Sequence, residues 1–465
     1  MALDGPAGEA ARPRGPSGPA RTDLDGFVLP PPIADADVVR VVYPDLNGTD
    51  RGRDVLTGSL GRALGHGIAF CRAVYHTTLL GDVADVHGGM EAGLPDISLR
   101  PDLTTLRHLP WEPGVAWCLA DAYDPGGEPC AECPRHLVRH VAAQLAAAGL
   151  HPLVGPELEY YLLTPDPSAA NGWGRYAGQP GNVYSAGLRG DPQGHLLSTL
   201  RALRDLGIGS TAANHEAGGG QFEVNLTHSG ALDAADRAFL LKAAVKELAR
   251  RAGLRATFMA KPFNDDGGSG FHIHLSLTGE SAENLFADPR DPAGLSPVAR
   301  HAIAGILRHA PGLTALLNPT VNSYKRHGRG SLAPSLVDWG LDNRSALLRI
   351  PPERGAGTRV EARLGDASAN PHIAIAGLLA AAYLGVRDEL EPPPPLDGLG
   401  YDPARSRPLP PRLSAALDAL EADDALTEVL GKGFTGAFLA YKRDEVARFD
   451  RFVTDWEFRE YSYHL

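Results

Sequence analysis

The chain has little of what marks membrane, secreted or nucleic-acid-binding proteins. No apolar run reaches the roughly 18 residues of a membrane span, and the longest, AIAGLLAAAYLGV (374–386), predicts a buried helix. Residues 1–25 lack the apolar core of a secretion signal, so we expect a disordered tail on a cytoplasmic protein. A formal net charge of −12 argues against nucleic acid as a partner, because that surface would be basic.

Cysteine is also scarce, with four residues in a chain of 465, which is too few for a disulfide framework. Cys130 and Cys133 form a single C-x-x-C motif that His136 follows, and two interpretations are open. The motif is either half of a zinc site or a redox pair, or it is a loop before a helix. A zinc site needs about four ligands, and neither Cys71 nor Cys118 has the spacing to supply one. The loop is therefore favoured.

The order of apolar runs and turns predicts an α+β fold in two parts. Short β-prone runs with Gly and Pro between them begin at VVRVVY (38–43) and predict a small β-rich domain over 26–128. The linker-like segment DPGGEPCAECP follows. An amphipathic helix then starts at Pro134, and strands alternate with helices from there on. Residues 134–465 are therefore predicted to form one large α+β domain.

Charged and polar residues stand inside two runs that predict strands. In GGSGFHIHLSL, His272 and His274 are two residues apart, so on a strand both face the same side. They indicate either a metal or phosphate site, or a strand with one wetted face. Glu157 and Glu159 repeat this spacing in GPELEYYLL, where burial without partners would be costly.

Other carboxylates and a group of arginines point to one kind of chemistry. Glu216 and Glu223 flank the glycines of HEAGGGQFEV. Glu361 stands in TRVEARL, where Arg359 and Arg363 are two residues before and after it, so both guanidinium groups are predicted on the face of its carboxylate. Oxygen-rich ligation with some imidazole suits Mg²⁺ or Mn²⁺ better than zinc. The arginines suited to bidentate capture of phosphates and carboxylates are Arg326, Arg344, Arg349 and Arg363. Together these residues predict phosphoryl transfer, although the chain has no P-loop motif.

Six motifs, in order, resemble those of the class I glutamine synthetase family: GPELEYYL, HEAGGGQFEVN, KPFNDDGGSGFHIHLSL, NPTVNSYKR, DNRSALLRIP and RVEARLGDASANPH. The resemblance covers nearly the whole chain after the tail. It implies a small β-grasp domain, followed by a catalytic domain whose antiparallel sheet forms half of a funnel. It also implies a homo-oligomer, a dodecamer of two hexameric rings, in which the neighbouring subunit's small domain completes each site.

Position by position, the resemblance also implies site residues. It implies two or more Mg²⁺ or Mn²⁺ ions per site, the first held by Glu159, Glu216 and Glu223, and the second by Glu157, His272 and Glu361. The residues that match contacts to ATP are His274 and Ser276, with the phosphates on Arg344, Arg349 and Arg359. The residues that match contacts to glutamate are Arg326, Arg363 and the backbone of Gly268. Arg344, Arg349 and Arg363 are the predicted catalytic arginines.

Three departures concern the nucleophile and the acyl donor. Cys71 stands where the family has an aspartate that helps to bind ammonium, and Leu332 where a flap glutamate takes the proton from ammonium. Gly267 replaces an asparagine that contacts glutamate. Cys71 and Leu332 are therefore candidates for a pocket that takes a primary amine, as in the γ-glutamylpolyamine and γ-glutamylethanolamide synthetases. The alternatives are an ordinary glutamine synthetase, or an inactive paralogue, which would have no reason to keep six metal ligands.

Overall fold

The computed structural model describes residues 35–84, 86, 93–178, 183–328 and 331–465, so the predicted tail at 1–25 lies outside the described residues. The first sheet contains β1 (Val38–Pro44), β2 (Asp50–Leu56), β3 (Ile68–Cys71), β4 (Asp96–His108) and β5 (Val115–Tyr123). Its strand order is β2-β1-β5-β4-β3, with β1 and β5 parallel and the other pairs antiparallel. A short helix, α1 (Leu60–His66), lies between β2 and β3.

The second sheet is larger, and its central strand is long. Its strands are β6 (His151–Pro165), β7 (Trp173–Arg175), β8 (Ser210–His215), β9 (Gln221–Leu226), β10 (Ser229–Gly230), β11 (Arg255–Thr257), β12 (Phe271–Thr278), β13 (Trp339–Leu341), β14 (Leu348–Ile350) and β15 (Val360–Ala362). The main order is β13-β14-β15-β12-β6-β9-β8, and β7, β10 and β11 also pair with β6. All pairs are antiparallel except β13 with β14.

Helices pack on this sheet and after it. They are α2 (Pro134–Ala147), α3 (His195–Leu206), α4 (Ala231–Arg251), α5 (Pro297–Leu317), α6 (Pro371–Arg387), α7 (Leu413–Glu421), α8 (Asp424–Leu430), α9 (Lys432–Asp450) and α10 (Asp455–Tyr461). The mixture of sheets and helices confirms the predicted α+β class. The domain limits at 26–128 and 134–465 stay predictions.

Helix α6 contains the longest apolar run and is almost wholly buried, as predicted. It crosses α5 where Gly305 and Gly385 meet. A side-chain carbon on Gly305 would stand 2.2 Å from the Ala381 carbonyl oxygen, so only glycine permits this contact. Within the described residues, no helix is long and apolar enough to cross a membrane.

A buried arginine joins the small sheet to helices α2 and α4. Arg135, near the start of α2, donates to both carboxylate oxygens of Asp236 on α4 at 2.9 Å and to Asp121 on β5 at 2.6 Å. It also donates to Asp102 on β4 at 3.0 Å. The planar guanidinium fork makes four hydrogen bonds to three carboxylates, whereas the ammonium of a lysine has three donors and cannot bond to one carboxylate in the same paired geometry.

We expect Arg135→Lys to lower the free energy of unfolding by about 1–2 kcal/mol, because the charge remains but the paired hydrogen bonds are lost. Urea unfolding followed by circular dichroism measures this loss. The matched control is Arg139→Lys on the same helix, whose side chain is 43% exposed. The control should change stability by about 0.5 kcal/mol or less, and equal losses in both variants would contradict the prediction.

Candidate active site

Four neighbouring strands align the predicted metal ligands on one face of the large sheet. Antiparallel pairing of β12 with β6 sets His272 opposite Glu157, and pairing of β6 with β9 sets Glu159 opposite Glu223. Strand β15 brings Glu361 to the same face. The apolar residues that alternate with the histidines on β12 are buried on the other face. The two glutamates of β6 and the two histidines of β12 therefore share one face of the sheet, as their spacing in the sequence predicted.

Glu216 and Glu159 are oriented by hydrogen bonds from the protein. Glu216 follows the end of β8, and the Asn214 side chain donates to its Oε1 at 2.7 Å. Glu159 Oε2 accepts from the Gly270 backbone N–H and from Gln221 Nε2, both at 2.8 Å. These bonds hold the carboxylates in place before any cation binds, and they leave the remaining oxygens free to act as ligands.

The cluster has the donors that a divalent cation needs. Two sets of ligand atoms lie within 4.8 Å of one another, namely Glu157, Glu223 and His272, and Glu157, His274 and Glu361. Carboxylates with an imidazole fit Mg²⁺ or Mn²⁺. Glu157 is common to both sets, so the structure groups the ligands differently from the resemblance, whose allocation to two ions stays a prediction.

The two histidines have different partners. His274 Nε2 lies 3.0 Å from Glu157 Oε1, and Arg359 Nε donates to His274 Nδ1 at 3.1 Å. Because Nδ1 accepts, the proton is on Nε2, which donates to the carboxylate. His272 Nδ1 lies 3.7 Å from Glu157 Oε2. His274 thus contacts a carboxylate of the cluster as well as lining the cavity described below.

Glu361 is held by two guanidinium groups, of which the sequence indicated only one. Arg363 Nη1 donates to Oε1 and Arg349 Nη1 to Oε2, both at 2.5 Å. The sequence predicted Arg359 beside Glu361, but Arg359 instead donates to Glu353 and to His274. Strand alternation fixes the side on which a residue lies, whereas a long side chain selects its partner in three dimensions. Arg344 is exposed, and its carbonyl accepts from Arg363 Nε at 3.0 Å.

Burial and neighbouring charges shift the pKa values of these carboxyl groups in both directions. Burial, together with the neighbouring carboxylates, raises the pKa of Glu216 to about 7 and that of Glu223 to about 8. Burial acts in the same direction on Glu361, but His272 and the Arg363 guanidinium outweigh it and lower the pKa of Glu361 to about 2. The two neighbouring histidines also lower the pKa of Glu157 against the effect of burial. The metal-free cluster therefore retains protons at neutral pH.

These protons predict the pH dependence of metal binding. Below about pH 7, Glu216 and Glu223 carry protons that Mg²⁺ must displace, so its affinity should rise by about tenfold per pH unit for each proton displaced. The dependence should flatten above about pH 8, where both carboxyls are ionised. Calorimetric titration in buffers of different ionisation enthalpy counts the released protons. An affinity that stays constant from about pH 6 to pH 8 would contradict the prediction.

Arg326 is buried beside this cluster without an acidic partner. Its Nη1 donates to the Gly365 carbonyl at 3.1 Å, and within the described part of the chain it forms no ion pair. A side-chain carbon on Gly268 would stand 2.6 Å from Arg326 Cγ, so glycine is needed there. Gly270, which the sequence did not mark, lies between Arg326 and Glu159 in the same way. A buried unpaired guanidinium is costly, and it fits a site that receives an anion.

A cavity of about 440 Å³ opens on the other side of the metal ligands. Three of the residues predicted to contact ATP, namely His274, Ser276 and Arg359, line it, and their contacts to the nucleotide stay a prediction. Asn225, within β9, and His228, just after β9, also line it, although the sequence gave no signal for either. Arg344 and Arg349 do not line this cavity, so their predicted contacts to phosphate stay predictions.

The two amine-pocket candidates lie in different places. Leu332 is 50% exposed and has a left-handed backbone with φ of 54°. The Tyr401 phenol lies near its backbone, and Arg326 and Arg363 lie within electrostatic range of that phenol. Cys71 is exposed at the end of β3, opposite Asp96, and its thiol is 3.7 Å from the Leu94 carbonyl oxygen.

The C-x-x-C motif behaves as the loop interpretation requires. Cys133 is the residue before α2, and both Cys130 and Cys133 are buried free thiols. Cys133 and His136 lie close to Asp121, but that carboxylate is already engaged by the Arg135 and Arg139 guanidiniums. Cys130 takes no part in this group. Burial raises the pKa of the Cys133 thiol, which disfavours the thiolate that a metal would need.

The site combines a cluster of carboxylates and imidazoles, which suits a divalent cation, with a buried arginine, which suits an anion, and this combination is typical of enzymes that act on phosphates. Residues 131–461 match the family profile "Glutamine synthetase, catalytic domain". The chain is 33% identical to a glutamine synthetase of Thermotoga maritima over 441 residues, which cover 91% of this chain and 96% of the relative. It is 35% identical to gamma-glutamylputrescine synthetase of Escherichia coli over 430 residues, 90% of each chain. The solved structure "Apo GmaS without ligand" matches with a TM-score of 0.81 at 34% identity, covering 92% of this chain and 97% of that one.

The chain therefore belongs to the glutamine synthetase family. It is an ATP-dependent ligase that forms a carbon–nitrogen bond, and the family implies a divalent metal ion as its cofactor. The structural relatives also have an N-terminal domain before the catalytic domain. The curated relatives are divided between glutamine synthetases and γ-glutamylamine ligases, so the family alone does not name the amine.

Proposed function

We propose that this enzyme joins glutamate to a primary amine larger than ammonia, with ATP as the second substrate. The observation that carries the proposal is Leu332, an apolar side chain on a loop whose neighbour Tyr401 lies within electrostatic range of the buried arginines. By resemblance, this position holds the glutamate that takes a proton from ammonium. A cation removed from water without a carboxylate partner is strongly disfavoured, whereas an amine with an organic substituent gains from apolar contact.

The anion sites support glutamate and ATP as the other substrates. The unpaired guanidinium of Arg326 suits the α-carboxylate of glutamate, and Arg363 suits its γ-carboxylate. The 440 Å³ cavity that contains Ser276 suits the nucleotide. When bound, Mg²⁺ or Mn²⁺ offsets the negative charge of the phosphates. The proposed metal ligands are Glu157, Glu159, Glu216, Glu223, His272 and Glu361.

The chemistry needs two steps because a carboxylate is a poor electrophile. In the first, an oxygen of the glutamate γ-carboxylate attacks the γ-phosphorus of ATP and ADP leaves, which gives γ-glutamyl phosphate. Arg344, Arg349 and Arg363 are proposed to stabilise the charge on the phosphoryl group during transfer. In the second, the neutral amine attacks the carbonyl carbon, the carbon–oxygen bond to phosphate breaks, and the nitrogen loses a proton. The products are a γ-glutamylamide, ADP and phosphate.

An amine panel tests the proposal. ADP release is measured with glutamate and Mg²⁺ in the presence of ammonium, methylamine, ethanolamine, butylamine or a diamine, and the amide is identified by mass spectrometry. We expect ammonium to be a poor substrate even at high concentration. The alternative, an ordinary glutamine synthetase, predicts that kcat/KM for ammonium equals or exceeds that for every amine. That result would reject the proposal and keep the family assignment.

The C-terminal segment supports the proposed homo-oligomer of two hexameric rings. Its large apolar side chains are exposed in the single chain, among them Trp456, Phe458, Tyr463 and Leu465. Exposed apolar residues in such a group are typical of an interface, and a second copy of the chain is the proposed partner. A shared active site would also explain why Cys71, on the small sheet, lies at the surface. If light scattering shows a monomer, and that monomer has full activity in the ADP-release assay, this assembly is contradicted.

A further inference from the structure

A second cavity, of about 570 Å³, lies at the edge of the large sheet beside β13. Its wall is formed by β13 and the residues before it, by α5, and by two stretches of the connection between α6 and α7, at 391–396 and 405–407. The volume is in the range of small-molecule sites. None of its lining residues belongs to the cavity that contains Ser276.

The proline run EPPPPLDG (391–398) makes a rigid, apolar part of this wall. Each proline fixes its own φ and restricts the residue before it. Two hydrogen bonds fasten the run to β13. Trp339 Nε1 donates to the Pro393 carbonyl, and the Leu396 N–H donates to the Trp339 carbonyl, both at 2.7 Å. A wall that is ordered before a ligand arrives loses little conformational entropy on binding.

Three arginines line the same cavity, and no described residue forms an ion pair with any of them. They are Arg308 on α5, and Arg405 and Arg407. Pro311, inside α5, has no N–H, so the Leu307 carbonyl lacks its usual helical partner. Arg407 Nη2 donates to this carbonyl at 2.6 Å and to that of Arg308 at 2.9 Å. These bonds anchor the Arg407 guanidinium at the cavity without cancelling its charge.

The charges around the cavity are not balanced by its two acidic residues. Asp338 Oδ1 accepts from the Leu347 N–H at 2.9 Å, and its Oδ2 is buried, so neither oxygen is directed at a ligand. The Glu391 side chain is 67% exposed and lies 3.6 Å from His301 Nδ1. Burial and the charge of Arg308 both lower the pKa of Arg407, which agrees with two guanidinium groups close together without an anion.

We propose that this cavity is a binding site for a small organic anion, a carboxylate or phosphate monoester whose apolar part lies against the prolines. Arginines are suited to paired hydrogen bonds with the oxygens of either group. The prolines, with Leu307 and Val337, provide the apolar contact. The site takes no part in the ligase reaction, so the inference does not depend on which amine the enzyme uses.

The cavity wall is connected to the active site by short hydrogen-bonded routes. The Val337 N–H donates to the Arg407 carbonyl at 2.9 Å. The next residue, Asp338, accepts from the Leu347 N–H, and the Leu347 carbonyl accepts from the Arg363 N–H at 2.9 Å. Arg363 in turn holds Glu361. A ligand that draws the arginines inward therefore acts on the segment that positions Arg363, and we expect it to change KM for glutamate.

Calorimetric titration of the full-length enzyme tests the site, with Mg²⁺ and ADP kept saturating to fill the nucleotide cavity. The probes are phenyl phosphate, benzoate, inorganic phosphate and phenol. We expect phenyl phosphate or benzoate to bind about tenfold or more tightly than inorganic phosphate or phenol, because only the first two combine a charge with an apolar group. Which of them binds more tightly distinguishes a phosphate from a carboxylate ligand. Inorganic phosphate that bound as tightly as both would overturn the proposal.

Arg308→Gln locates the binding site. This arginine is exposed, and no described residue bonds to its side chain, so the fold should be unchanged. We expect the variant to bind the preferred probe about tenfold more weakly, the contribution of one charge-assisted hydrogen bond. The matched control is Arg412→Gln, which removes the same charge from an exposed position that does not line the cavity. Its Kd should change by about twofold or less.

The remaining outcomes each overturn a stated part of the inference. Equal loss of binding in the two variants, no loss in either, or no saturable binding of either organic anion would overturn the site. The effector role is measured as KM for glutamate in wild-type enzyme, with and without the saturating probe and with ammonium or an amine as nucleophile. We expect a change of about fivefold that Arg308→Gln abolishes. An unchanged KM would overturn the effector role and leave the binding site in place.

Discussion

Replacing Glu159 by glutamine is expected to lower ATP turnover by about a thousandfold, the largest effect we expect from a single side chain. Glu159 stands at the centre of the carboxylate cluster, opposite Glu223 and buried. A neutral amide is a much weaker ligand for Mg²⁺ than a carboxylate. Loss of a cation that offsets charge on the transferred phosphoryl group removes stabilisation from the transition state itself.

Glutamine is chosen because the protein needs an acceptor at this place. Glu159 Oε2 receives both the Gly270 N–H and the Gln221 amide, and an amide oxygen can keep both bonds. Alanine would leave a buried N–H unsatisfied. A loss of activity could then come from a folding defect or from a catalytic one, and the experiment could not distinguish them. The fold of Glu159→Gln should therefore be intact by circular dichroism and by oligomer size.

The control for this prediction is the same chemical change at a surface position. Glu280 lies on the turn after β12, and its side chain is 81% exposed, so Glu280→Gln should keep full activity. His272→Ala should resemble Glu159→Gln in ATP turnover. An active Glu159→Gln enzyme, or wild-type enzyme that still turns over ATP after chelation, would show that the cluster does not hold the required cation.

Local patterns in the sequence were enough to predict which side chains share a face. Period-two spacing in β6 and β12 put two glutamates and two histidines on one side of each strand, because a strand alternates its side chains. Register is different, since it depends on which residues pair across strands that are distant in sequence. The resemblance assigned His272 and Glu157 to one ion, but that they lie opposite each other follows from the structure and from neither strand alone.

The least predictable residues act through long side chains or across long loops. Arg359 was expected beside Glu361, but its guanidinium reaches His274 and Glu353 instead. Tyr401 lies near Leu332 and the buried arginines, although nothing in the surrounding loop sequence indicates it. Such contacts are set by tertiary packing, which cannot be deduced from hydrophobic periodicity or from residue type.

The second large effect is expected from Leu332→Glu, which should change the preference of the enzyme between ammonium and larger amines. The substitution should raise the ratio of kcat/KM for ammonium to that for butylamine by on the order of a hundredfold, because a carboxylate stabilises a partly desolvated cation and accepts its proton. The position tolerates the change. Leucine and glutamate both have a Cβ at this left-handed backbone, and the side chain is half exposed, so no core packing is lost.

The isosteric variant Leu332→Gln separates charge from size in this experiment. Glutamine has the shape and polarity of glutamate but can neither balance a cation nor take its proton. It should therefore leave ammonium a poor substrate, while Leu332→Glu improves it. If both variants shift the ratio equally, a polar wall is enough and the missing carboxylate is not the cause of amine preference. If neither shifts it, Leu332 lies outside the amine pocket, and the base that receives the proton must be sought elsewhere, with Asp96 beside Cys71 as the first position to test.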